Sequence, residues 1–213
     1  MTDRISLEAG VEALAARGVH LPSGIAERLA RYLALLQKWN RVYNLTAIRD
    51  SDRMITHHLL DALAVLPHVG DARSLRLLDV GSGAGIPGMP LALARPEWQV
   101  TLLDSNHKKG AFMQQAVAEL GAGNVDVRTC RIEDFPSGHA FDVVISRAFS
   151  DLATFADAGL RVLAPGGRLL AMKGVFPHEE LRELPPGVRV RDTPSVAVPG
   201  LDAERHLVVL EAA

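Results

Sequence analysis

Apolar positions in the first third of the chain recur every three or four residues. Leu7, Val11 and Leu14 keep helical spacing up to Gly18, a residue suited to stopping a helix. Pro22 and Ser23 open a second predicted helix, whose apolar stripe is Ile25, Leu29, Tyr32, Leu36 and Trp39. Residues 40–48 are polar and aromatic and read as a connector. Ser51 or Asp52 is the expected cap of a third helix through Ile55, Leu59, Leu63 and Leu66, which Pro67 helps to end.

Near residue 73 the pattern changes to short apolar runs alternating with helical ones. Residues 75–80, 99–103, 125–129, 141–146 and 168–172 read as buried strands, with helices over 90–94, 109–120 and 152–163. Such alternation predicts an α/β fold with a mostly parallel sheet covered on both faces. The tail differs, since 188–195 and 206–210 read as strands joined by a Pro-Gly loop without a helix, hence an antiparallel ending. The expected organisation is a helical extension over 1–72 and a sheet domain over 73–213, in one compact unit.

Composition narrows the function only by exclusion. The chain has 213 residues and a net charge of −2, so an RNA-binding surface has to be a local patch. Its single cysteine, Cys130, excludes an intrachain disulfide framework and a cysteine-rich zinc site, and reads as a packed strand-end residue. Residues 1–10 lack the apolar stretch of a signal peptide, and no apolar run approaches the roughly 18 residues of a membrane span. The expectation is a cytoplasmic protein.

Candidate chemistry starts where the first predicted strand runs into Gly81-Ser82-Gly83-Ala84-Gly85. Glycines there let the backbone turn sharply and meet a ligand without a Cβ in the way. Ligands of open α/β sheets sit beyond the carboxyl ends of the strands. The glycines leave the ligand open, because Gly83-Ala84-Gly85-Ile86-Pro87-Gly88 fits the dinucleotide fingerprint as well as an S-adenosylmethionine loop. The next strand ends in Asp104, placed to accept from two ribose hydroxyls or to cap the following helix. After the third strand, Ile132 and Glu133 are suited to flanking an adenine ring and accepting from its amine, or to an ordinary loop.

Together these segments resemble a known family. Leu-Asp-Val-Gly-Ser-Gly-Ala-Gly-Ile-Pro-Gly (78–88), Leu-Leu-Asp-Ser (102–105), Ser-Arg-Ala (146–148) and Met-Lys-Gly (172–174) are similar to the bacterial small-subunit rRNA guanine-N7 methyltransferases, also called the glucose-inhibited division protein B family. So are residues 38–46, His57-His58-Leu59-Leu60-Asp61 and Arg205-His206. The resemblance implies a class I S-adenosylmethionine-dependent methyltransferase fold, Rossmann-like and seven-stranded, with an N-terminal helical extension. It implies methyl transfer to N7 of guanine 527 in the 530 loop of 16S rRNA. By motif position it implies cofactor contacts at Gly81, Ile86, Asp104, Ile132, Glu133 and Arg147, and we extend these to Gly83, Gly85 and Ser105 in the same segments.

The remaining candidates concern charge. Guanine N7 carries a lone pair and no proton, so its methylation needs no general base. The fourth strand ends in Ser146-Arg147-Ala148, without the Asn/Asp-Pro-Pro-aromatic motif of many exocyclic-amine methyltransferases, and no catalytic residue is assigned. Arg147 and Lys173 fall at the carboxyl ends of neighbouring strands and need an anion between them: the methionine carboxylate, an RNA phosphate or a surface partner. Lys108 and Lys109 start a helix, where the macrodipole disfavours cations, which invites RNA phosphate or simple solvation. Arg31, Lys38 and Arg41 share one face of the second helix, with Arg49 and Arg53 nearby. The expected RNA contacts are Lys38, Arg41, Lys108, Lys109, Lys173 and Arg205, while Tyr32 and Trp39 read as core. His57, His58 and Asp61 read as packing residues rather than metal ligands, since adjacent histidines point about 100° apart on a helix. Three alternatives remain: an NAD-dependent oxidoreductase, a non-catalytic RNA-binding module, and methylation of a small molecule or protein.

Overall fold

The computed structural model describes residues 5–70, 73–136, 138, 141–147 and 149–213. Helix α1 (Leu7–Ala15) is capped by Ser6, whose Oγ accepts from Ala9 N at 3.2 Å. It closes as its sequence predicts. Gly18 takes φ 83°, Gly18 N donates to Ala15 O at 3.0 Å and Val19 N to Leu14 O at 3.1 Å, the paired bonds of a Schellman ending. Helix α2 (Ile25–Tyr43) starts later than Pro22 and Ser23 suggest, because Gly24 first turns the chain with φ 75°.

The third helical segment departs most from expectation. Its cap is Asp50, not Ser51 or Asp52: Asp50 Oδ1 accepts from Arg53 N at 2.9 Å. One turn of α3 (Ser51–Met54) widens into a π-helical stretch over Ile55–Leu60, then returns to α4 (Asp61–Leu63). Such wide turns are rare and are frequently found at functional sites. Pro67 does not end this segment. It sits in the first turn of a separate helix, α5 (Leu66–Val69), where a missing N–H costs nothing.

The sheet follows: β1 (Arg76–Val80), α6 (Gly88–Ala94), β2 (Gln99–Leu103), α7 (His107–Leu120), β3 (Val125–Arg128), β4 (Phe141–Ser146), α8 (Leu152–Leu160), β5 (Leu163–Lys173), β6 (Val188–Asp192) and β7 (His206–Ala212). Seven strands lie in the order β3-β2-β1-β4-β5-β7-β6, with β7 antiparallel to both neighbours. Strand β5 begins well before residue 168, and α8 stops short of 163. Leu163 already pairs with Phe141, and the register then shifts before Val143 meets Arg168. Pro165, which has no N–H to give the ladder, lies in that irregular stretch. At the other end β6 stops at Asp192, leaving Ser195 only an isolated bridge to His206.

Adjacent Leu77 and Leu78 of β1 are both fully buried, but in opposite cores. On the Leu77 side, Leu29, Tyr32 and Leu36 of α2 join Met89, Phe112 and Val143 in one cluster, so the N-terminal helices and the sheet share a core. The other face packs Leu78, Val144, Phe155, Leu169 and Leu210. Successive strands run outward from β1 through β2 to β3, then restart with β4 on its opposite side. This reversal makes the carboxyl ends of β1 and β4 the switch point where an α/β sheet opens a crevice.

Candidate active site

The glycine loop leaves β1 at that switch point. Gly81, Gly83 and Gly85 have φ of 70°, 61° and 83°, the left-handed region that side chains disfavour. Gly81 is exposed and Gly83 half-buried, whereas Gly85 and Ile86 are buried against the core behind the loop. The loop is tied to β2 by Gly81 N and Ser82 N, which donate to Leu103 O at 2.8 and 3.0 Å. Ser82 Oγ adds a bond to Asp79 O at 2.7 Å and accepts from Leu103 N at 3.0 Å. From beneath, the fully buried Tyr32 of α2 donates its hydroxyl to Ala84 O, and burial pushes that phenol above its ordinary range. The helical extension therefore braces the loop directly.

Two acids flank the loop. Asp104 Oδ2 accepts from Gly83 N at 2.8 Å, Oδ1 from Asn106 N at 2.9 Å, and Lys109 Nζ lies 3.5 Å from Oδ2. The cap of α7 is Asn106, whose Oδ1 accepts from Lys108 N and Lys109 N, so Asp104 is not spent on capping. A carboxylate offers about four lone-pair sites, and Asp104 keeps capacity for hydroxyl donors. Asp79 is fully buried; its Oδ2 accepts from Gly88 N at 2.8 Å while Oδ1 has no hydrogen-bond partner among the described residues. Burial pushes Asp79 up to about 7, against the Gly88 hydrogen bond. An open glycine turn, a strand-end acid with spare acceptors and an orphaned carboxylate oxygen suit an adenosyl group carrying an amino acid. Of the other expected contacts, Ser105 and Glu133 are exposed and Ile132 is buried against the second core. Cys130, just before them, is half-buried against that core.

Across the switch point a cavity of 270 Å³ opens at the ends of β4 and β5, bordered by His57, His58, Asp61, Arg147, Lys173 and Arg205. Arg147 Nη1 donates to His57 O at 2.7 Å, lies 3.2 Å from His58 Nδ1 and 3.7 Å from Asp61 Oδ2. Arg205 Nε donates to Asp61 Oδ1 at 3.0 Å. Burial raises the Asp61 carboxyl above its ordinary value, while the two guanidiniums oppose the shift. His58 is pushed down to about 4 by burial, then by Arg147, and its Nε2 meets Thr46 Oγ1 at 2.9 Å. Lys173 Nζ pairs with Glu180 Oε2 at 2.7 Å, and the same oxygen accepts from Leu152 N. Arg147 and Lys173 are thus each balanced by a carboxylate of the protein, Asp61 and Glu180 respectively.

The remaining cations divide into committed and free. Arg31 donates to Glu119 O at 2.6 Å, Arg49 to Asn44 Oδ1 at 2.6 Å, and Lys109 is held by Asp104. Lys38, Arg41 and Lys108 are exposed and form no ion pair among the described residues. Beside Arg41, Val42 and Tyr43 are 69% and 44% exposed, and Tyr43 packs on the half-buried Trp39 at 5.2 Å between ring centroids. Ala148 of the Ser-Arg-Ala segment lies outside the described residues. Sequence reasoning missed the brace from Tyr32, the partnership of Asp61 with two arginines, and Glu180. For Asp61 the signal was its place one helical turn after His57; Glu180 gave none.

A parallel sheet with one reversed strand, a left-handed glycine loop leaving β1 and an acid at the end of the neighbouring β2 define a class I S-adenosylmethionine-dependent methyltransferase. The fold is shared with an S-adenosylmethionine-dependent methyltransferase from Aquifex aeolicus, at TM-score 0.60 and 21% identity, covering 78% of this chain and 96% of the other. The glycopeptide N-methyltransferase MtfA in complex with sinefungin has the same fold, at TM-score 0.63 and 16% identity, over 73% and 94% of the two chains. Residues 25–208 match the GidB model, rRNA small subunit methyltransferase G. Proteins named ribosomal RNA small subunit methyltransferase G from Nitrosospira multiformis and Neisseria meningitidis serogroup B are 53% and 51% identical to it, covering 95% and 96% of each pair of chains. The chain belongs to the rRNA small subunit methyltransferase G family, and its cofactor is S-adenosylmethionine. That membership decides the choice the glycines left open, against NAD.

Proposed function

We propose that the chain methylates N7 of guanine 527 in the 530 loop of 16S rRNA, acting in the cytoplasm on the RNA or on the small ribosomal subunit that contains it. The observation that carries this reading is the cation-bordered cavity lying across the β1/β4 switch point from the glycine loop and Asp104. Family membership supports ribosomal RNA as the substrate class. Among the described residues no helix is long and apolar enough to cross a membrane.

When bound, S-adenosylmethionine supplies a methyl group on a positively charged sulfur. Gly81 and Gly83 give the cofactor close backbone approach, Asp104 accepts from its ribose hydroxyls, and Ser105, Ile132 and Glu133 border the adenine. Gly85 and Ile86 contribute from behind by holding the loop in shape, and Arg147 faces both cofactor and acceptor. The acceptor nitrogen has no proton to lose, and His58, depressed to about 4, is neutral at physiological pH and a poor base. The work of the chain is alignment of nucleophile, methyl and sulfur, which is worth roughly 7–11 kcal/mol of barrier.

Lys38, Arg41 and Lys108 are the phosphate contacts this reading favours, because each is exposed and unpaired among the described residues. Lys109, Lys173 and Arg205 instead balance Asp104, Glu180 and Asp61 and meet RNA only at the rim of the site. The test is transfer of tritiated methyl to small subunits from a strain lacking its own enzyme. Incorporation is expected. Cofactor binding without incorporation would instead identify a binding module.

A further inference from the structure

Asp61 stands apart in the cavity. Among the described residues that line it, Asp61 brings the one carboxylate, and that side chain is 4% exposed. Burying an acid is costly unless partners offset it. Arg147 from the end of β4 and Arg205 at the head of β7 do so without using all its acceptors. Oδ1 takes one hydrogen bond from Arg205, and Oδ2, 3.7 Å from Arg147, is beyond hydrogen-bond distance of it.

The topology sets which edge of a bound base meets this acid. The glycine loop follows β1, whereas Asp61 is held between the ends of β4 and β7, on the opposite side of the switch point. N7 of guanine lies on one edge of the purine, and N1–H and the 2-amino group lie on another. A base that turns N7 back toward β1 points its N1–H and 2-amino donors toward β7. Adenine would present an unprotonated N1 there, which a carboxylate repels.

We infer that Asp61 reads the target base as guanine, its carboxylate accepting from N1–H and the 2-amino group while Arg147 and Arg205 hold it in place. The inference rests on the guanine-N7 reading above and assigns Asp61 as its specificity determinant. A cavity of 270 Å³, just below the range of about 300–1,000 Å³ typical of larger ligand sites, suits one extruded nucleobase.

The experiment uses the full chain and small subunits reconstituted with 16S rRNA carrying guanosine or inosine at position 527. Inosine keeps N7, O6 and N1–H and lacks only the 2-amino group. The wild-type enzyme should methylate inosine roughly tenfold to a hundredfold more slowly, the cost of leaving a buried acceptor unpaired. In Asp61→Asn the ratio between the two substrates should fall toward one, with S-adenosylhomocysteine affinity unchanged. Equal wild-type rates on both substrates would overturn the inference without the use of any variant. A ratio that survives in Asp61→Asn would overturn the assignment to Asp61. Guanosine particles that take up no methyl at all would overturn the guanine reading itself, and the inference with it.

Discussion

The carboxylate of Asp104, at the end of β2, accepts from Gly83 N at 2.8 Å, so an acid joins the cofactor loop to the neighbouring strand. Removing it in Asp104→Ala takes away the loop's tether and, with it, the proposed ribose acceptor. Hydrogen bonds to a charged group are worth about 1.5–3 kcal/mol, so affinity for S-adenosylhomocysteine should fall roughly ten- to hundredfold. Calorimetric titration measures it, and a melting temperature close to wild type shows that the fold survives. Unchanged affinity would remove Asp104 from the cofactor site.

Asp79 gives the protein a pH signature. Its folded value of about 7 lies above the ordinary 3.8 because burial penalises the carboxylate. Between those values the unfolded chain has released a proton that the folded chain keeps, so this group makes stability fall as pH rises from about 4 to 7. Above that window its contribution is constant. Asp79→Asn does not titrate, so its stability relative to wild type should climb across the window and then level. Urea unfolding of both proteins at several pH values tests this, and a difference independent of pH would contradict it.

Lys38 and Arg41, exposed and unpaired on α2, are expected to meet RNA phosphate. For single strands the salt slope of binding is about −0.7 per phosphate contact, so Lys38→Ala with Arg41→Ala should reduce its magnitude by roughly 1.4. Fluorescence binding at a series of salt concentrations reads the slope. A slope equal to wild type would show that both cations face only solvent.

What the chain pattern revealed and what it hid follow from the range of the interactions involved. Strands 99–103 and 141–146 and the antiparallel ending were legible because period and burial are local properties, as was the stop at Gly18. The wide turn over Ile55–Leu60 was not, because helical spacing in sequence looks the same whether the turn is α or π. Glycine conformation at Gly81 and the acid at Asp104 could be read from motif position alone. The partners of the cations could not. Arg147 and Asp61 are far apart in the chain and meet only in the folded protein, and Lys173 finds Glu180 through a loop with no pattern of its own. Charges that looked available for RNA were therefore partly committed to these long-range pairs.

The most direct test of the central claim is nucleotide-level mapping of the product. Small-subunit RNA reacted with the enzyme and S-adenosylmethionine is reduced with borohydride and cleaved with aniline, which breaks the chain at 7-methylguanosine. A single new break at guanine 527, absent without enzyme, is the predicted result. Methyl incorporation with no break there, or a break at another guanine, would contradict the account.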